Sequence, residues 1–106
     1  MNRIEIEERK LLRGNVISKL YDRHGEDLRI AVLKNLLRAG GLMTEKELLK
    51  AIYYLGDREG RTEPYIHVEK DEDNWLDGKI WLTRTGINLA EGDIDDVGIE
   101  GIEIDG

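Results

Sequence analysis

Residues 42–60 read LMTEKELLKAIYYLGDREG, and the fold turns on how this stretch is read. Thr44 is placed as an N-cap, and Glu47 three residues later completes a capping box. Met43 before the cap and Leu48 four positions after it make a hydrophobic staple. Leu48, Ile52 and Leu55 fall at i, i+4 and i+7, so they share one buried face. Lys46, Lys50, Tyr54 and Arg58 step by four along another side, and such a stripe drifts about 40° per step while staying roughly on one face. The spacing predicts an amphipathic helix over 44–58, apolar on one side and basic on another, directly after Gly40-Gly41.

Working outward toward the N-terminus, two more helices are expected. Residues 28–39 carry Val32, Leu33, Leu36 and Leu37 on one face, with Asp27 as a possible cap and Gly40-Gly41 as the stop. Residues 5–23 carry Leu12, Val16 and Leu20 at i, i+4 and i+8, widened by Ile17 and Tyr21. Gly14 lowers the helix propensity there by about 1 kcal/mol relative to Ala, and His24-Gly25 ends the run. Helix, glycine turn and helix make a helix-turn-helix pattern.

Working outward toward the C-terminus, the period changes to two. Residues 65–69 (YIHVE) and 79–83 (KIWLT) alternate, with Ile66 and Val68 on one face and Ile80 and Leu82 on the other strand's matching face. The polar loop 70–78 between them closes on Asp77-Gly78, so the two strands form a hairpin. Residues 83–92 (TRTGINLAEG) read as a short closing helix. The expected fold class is mainly α with a small β-hairpin, an α+β layout of three helices, a two-stranded wing and a short C-terminal helix over residues 1–92. An acidic tail over 93–106 follows.

A length of 106 residues suits one domain. Without cysteine there is no disulfide framework, thiol nucleophile or thiolate metal site, which fits a cytoplasmic protein. No apolar run reaches the ~18 residues that a membrane span needs, so no membrane partner is expected. The net charge of −7 argues against nucleic acid until its distribution is considered. All 16 Lys and Arg lie at or before Arg84, and residues 91–106 hold seven acids and no base. The other 90 residues are therefore neutral, with a slight basic bias over 1–64. The tail alternates acids with Ile94, Val97, Ile99, Ile102 and Ile104. It reads either as a disordered, solubilising end or as a strand-like segment that docks on another subunit or covers the basic face as a phosphate mimic.

The order helix, helix, helix, hairpin, short helix resembles a winged helix-turn-helix domain. Two phrases carry the resemblance. Leu48, Ile52 and Leu55 followed by Gly60 look like the recognition helix of ArsR- or MarR-like regulators. Leu82-Thr83-Arg84-Thr85-Gly86 resembles the leucine-threonine-x-x-glycine that ends the wing in many of them. Small Mu-like prophage winged-helix proteins are similar in length. The resemblance covers roughly residues 10–92 and implies a homodimer joined through the first and last helices. Two features depart from it: the link 57–64 is long, and Asp71, Glu72, Asp73 and Asp77 make the wing acidic where basic wings are usual.

No catalytic constellation is present, so a non-enzyme without cofactors is expected. His24 and His67 are isolated, and the run 71–78 lacks EF-hand spacing. Trp75 and Leu76 at the loop are expected to tuck back onto the domain, or else to meet a partner. Two functions follow. In the first, the chain binds double-stranded DNA as a transcriptional regulator, with Thr44, Lys46, Lys50, Tyr54 and Arg58 at the groove and Lys70 and Lys79 at the backbone. Arg29, Lys34 and Arg38 add contacts. In the second, the winged helix binds a protein partner, phage-like in kind, and no DNA. The first predicts a contiguous positive surface; the second predicts these charges paired with Glu45, Glu47 or Glu59 and an apolar patch elsewhere.

Overall fold

The computed structural model describes residues 2–39, 43–56 and 63–104. The elements follow the order α1 (Arg3–Asp22), α2 (Ile30–Arg38), α3 (Glu45–Leu55), β1 (Ile66–Glu69), β2 (Lys79–Leu82) and α4 (Arg84–Ala90). The arrangement is a mixed α+β fold, as the changing hydrophobic period predicts.

α1 is the centre of the molecule, packing against α2, α3, α4 and β2. It starts two residues earlier than the apolar pattern requires, because the Asn2 side chain accepts from the Glu5 N–H at 2.9 Å and so satisfies an orphan donor of the first turn. Its second half buries Gly14, Val16, Ile17, Ser18 and Leu20, while Ile4 and Ile6 near its start stay exposed.

α2 begins at Ile30 rather than at residue 28, and Asp27 does not cap it. The Ile30 N–H donates to the Gly78 carbonyl, and the Ile80 N–H donates to the Leu28 carbonyl, both at 2.9 Å. Arg29 and Lys79 thus form an antiparallel bridge. These bonds hold Arg29 extended at the helix start, as a one-residue bridge on the edge of the hairpin. Asp27 instead pairs with Lys79, Oδ2 to Nζ 2.9 Å. Leu33 and Leu37 are buried, whereas Val32, expected inside, lies 40% exposed.

The hairpin registers Ile66 with Leu82 and Val68 with Ile80, which puts both apolar rows on the core side. A single turn of 3-10 helix, Trp75–Asp77, sits in its loop and packs on α2. Trp75 and Leu76 are half-buried against the core, so both tuck back onto the domain as expected. At the end of β2, Thr83 caps α4: its Oγ1 accepts from the Gly86 N–H at 3.0 Å and donates to the Pro64 carbonyl at 2.7 Å. α4 stops at Ala90, and Gly92 turns the chain with φ +84°.

One apolar cluster joins all of these elements. α1 gives it Val16, Ile17 and Leu20; α2 gives Leu33 and Leu37; α3 gives Leu48, Ile52 and Leu55. The hairpin gives Ile66, Ile80 and Leu82, and α4 gives Leu89. Each such side chain contributes about 1.5–3 kcal/mol on full burial. Ile99, from the segment set apart in the sequence as an acidic tail, belongs to the same cluster and is 7% exposed. That segment is neither a free end nor a strand. Residues 96–103 lie along α1, with the Glu100 N–H donating to the Lys10 carbonyl at 3.1 Å and the Glu103 N–H donating to Ser18 Oγ at 2.9 Å.

Candidate nucleic-acid interface

α3 has the start that its sequence specifies. Thr44 Oγ1 accepts from the Glu47 N–H at 3.1 Å, which is half of a capping box; the Glu47 carboxylate does not close the other half and stays exposed. Leu48, Ala51, Ile52 and Leu55 face the core. Successive residues turn by about 100°, so the direction opposite this face belongs to Lys46, Leu49, Lys50 and Tyr53. All four are exposed, Leu49 by 49% and Tyr53 by 65%. Neither Lys46 nor Lys50 has an ion-pair partner among the described residues. Thr44, Lys46 and Lys50 also line an open groove of about 1210 Å³ between α3 and α1, which Arg9 and Arg13 share from the α1 side. Glu5, Glu8 and Glu47 stand in the same groove, so its wall is mixed in sign.

The other sequence-expected cations are placed differently. Tyr54 does not continue the stripe of Lys46 and Lys50. It is half-buried, with the Arg13 guanidinium 3.6 Å above its ring centre and its hydroxyl donating to Asp96 Oδ1 at 3.4 Å. Two steps of four residues from Lys46 turn the stripe by about 80°, and Tyr54 ends on the flank that α1 and the C-terminal segment cover. Tyr53, one residue earlier, takes the outward position. Lys34 is paired with Glu45 across the α2–α3 corner. Lys79 is held by Asp27, whose hydrogen bond and charge, helped by Glu69, keep the ammonium pKa above its ordinary value. Arg29 donates to the Asp77 carbonyl at 3.3 Å. Lys70 and Arg38 are exposed. Arg58 and Glu59 lie outside the described residues.

The hairpin loop is tied down by its own polar side chains. Asp71 Oδ2 accepts from the Asp73 and Asn74 N–H groups at 3.1 Å, and Asn74 Oδ1 accepts from the Leu76 N–H at 3.1 Å. On the outer face of the hairpin His67 and Trp81 pair across the strands, ring centres 5.5 Å apart.

Sequence reasoning missed Leu49, Tyr53 and Arg13. The first two were legible from the centre of the buried face, which a helical wheel places opposite Lys46, Lys50, Leu49 and Tyr53. Arg13 gave no signal, because the Tyr54 ring and the Gly98 carbonyl that it meets lie far from it along the chain. Among the described residues no group of acids and histidines is arranged to hold a metal ion, and no helix is long and apolar enough to cross a membrane. No protein-family model, curated protein or solved structure matches this chain.

Proposed function

We propose that the chain is a winged helix-turn-helix domain that binds double-stranded DNA through α3, in the manner of a small transcriptional regulator. The element order supports the fold reading, and so does the bridge from Arg29, between the first two helices, to Lys79 of the hairpin. The observation that carries the DNA reading is the outward face of α3. Lys46 and Lys50 stand exposed and, among the described residues, without an ion-pair partner, with Leu49 and Tyr53 between and beside them. Such a face offers cations to phosphate and apolar contact to base edges. The exposed amides behind Thr44 add an anion-binding terminus.

With Lys34 and Lys79 already paired, the expected cations that stay exposed and without an ion pair among the described residues are Lys46, Lys50 and Arg38, with Lys70 at the wing. Neutralising about three phosphates gives a log–log salt slope of about −3. The test is fluorescence anisotropy of the full chain with duplex DNA across a salt series. Lys46→Ala combined with Lys50→Ala is expected to abolish binding or flatten the slope by about 2. Binding that survives unchanged in that double variant removes α3 from the interface.

The acidic wing favours a second reading, a protein partner. Asp71, Glu72, Asp73 and Asp77 repel phosphate where a wing would meet it, and Leu49 with Tyr53 supplies an apolar anchor. In that reading Leu49→Ser with Tyr53→Ser removes partner binding, while no salt-dependent DNA binding exists to lose.

A further inference from the structure

The C-terminal segment is seated on a surface shaped to receive it. A Cβ at Gly14 would lie 1.7 Å from the Glu100 carbonyl oxygen, so only glycine lets the segment cross α1 there. Ser18 Oγ donates to the Gly14 carbonyl at 2.9 Å and accepts from the Glu103 N–H. The Arg13 guanidinium donates to the Gly98 carbonyl at 2.9 Å. Asp96 then fastens three parts of the molecule. Its carboxylate accepts from the Tyr65 hydroxyl at 2.7 Å, from the Gly98 N–H at 2.8 Å and from the Tyr54 hydroxyl at 3.4 Å.

These contacts engage the two groups that would extend the basic face of α3. Arg13 lines the same groove as Lys46 and Lys50, but it is stacked on Tyr54 and bonded to the segment. Tyr54 lies one helical turn beyond Lys50, under Asp96 and Gly98. Asp96 meets the Tyr54 hydroxyl one helical turn beyond Lys50.

We propose that residues 93–104 are a releasable brake on α3: docked along α1 they engage Arg13 and Tyr54 and withhold both from the DNA-binding face, and on release Arg13 joins that face. The proposal rests on the DNA reading above. It differs from a phosphate mimic, because among the described residues no acid of the segment pairs with Lys46 or Lys50.

Gly14→Ala and Asp96→Ala release the segment by independent routes, one steric and one by loss of the anchor. In the full chain, hydrogen exchange is expected to show lost protection over residues 96–103 in both variants, with α2 and the hairpin unchanged. Duplex DNA binding is expected to tighten, and the log–log salt slope to steepen by about 0.9, the increment of one more phosphate contact. The gain at 50 mM salt is then roughly threefold larger than at 200 mM. Adding Arg13→Ala to Gly14→Ala should return the slope to its starting value. If the segment is released and neither affinity nor slope rises, the brake is refuted while the recognition helix stands. If both variants leave 96–103 protected, the contacts above do not hold the segment and the brake is refuted at its base. If neither wild type nor a released variant binds DNA at low salt, the DNA reading falls and takes the brake with it.

Discussion

At the scale of single residues, the most informative positions are those where a side chain is absent. The sequence leucine-threonine-x-x-glycine at 82–86 has a local physical cause. Leu82 enters the core, Thr83 caps α4 and ties it to Pro64, and Gly86 passes under the Tyr65 carbonyl. A Cβ at Gly86 would sit 2.0 Å from that oxygen and 3.0 Å from Leu82 Cδ2, with buried neighbours that have no room to move. Gly86→Ala is therefore expected to cost about 3 kcal/mol by overpacking, although Ala is the better helix former by about 1 kcal/mol. Urea unfolding monitored by tryptophan fluorescence measures it. A neutral or stabilising effect would show that α4 shifts freely away from residue 65. Gly14 is the same kind of position, and from the sequence it reads only as a weak point in a helix.

At the scale of elements, the seat of the C-terminal segment on α1 carries an electrostatic conflict. A hydrogen bond with Glu7 raises the Glu100 carboxyl above its ordinary value, burial and the Glu7 charge add to this, and Lys10 opposes it from 4.0 Å. Because the folded value is raised, the stability linked to Glu100 is present below its ordinary pKa and is lost as pH rises through the raised one. At neutral pH Glu7 and Glu100 repel. Glu100→Gln copies the protonated form, with an amide that donates to Glu7 at every pH. The variant should melt above wild type at neutral pH and level with it in acid below the carboxylate range. A melting temperature lowered at neutral pH would mean that the Lys10 ion pair outweighs the repulsion. The element order, the core faces of α1 and α3 and the apolar rows of the hairpin were legible in the sequence, because periods of 3.6 and 2 separate cleanly there, whereas Val32 was placed inside and lies exposed. The bridge at Arg29 was not legible. Leu28, Val32 and Leu36 continue a helical spacing, and only the hydrogen bonds to residues 78 and 80 override it. Of the candidate site, Thr44 caps α3 as its sequence specifies, and Lys46 and Lys50 of the stripe stand exposed. Tyr54 does not, since its place is decided by Arg13 and Asp96, 41 residues before it and 42 after.

At the scale of the whole molecule, the question is whether the last dozen residues are an appendage or part of the folding unit. Their composition suggests an appendage, with aliphatics spaced among acids and no base after Arg84. The packing argues otherwise. Ile99 is 7% exposed within the same cluster as Val16 and Leu48, and Ile102 packs against that cluster, whereas Val97 is 91% exposed two residues before Ile99. Truncating Ile99 to Ala removes buried methyl and methylene groups and leaves a cavity beside α1, at a cost of about 2–4 kcal/mol. The same change at Val97 takes nothing from the core and should stay within about 0.5 kcal/mol. If the segment unfolds together with the body, Ile99→Ala lowers the unfolding free energy by that amount and the urea midpoint in proportion, without changing the slope of the transition. If the segment detaches first, the body unfolds at the wild-type midpoint, and only hydrogen exchange over 96–103 registers the substitution. Equal, negligible effects at 97 and 99 in both measurements would make the segment an appendage after all.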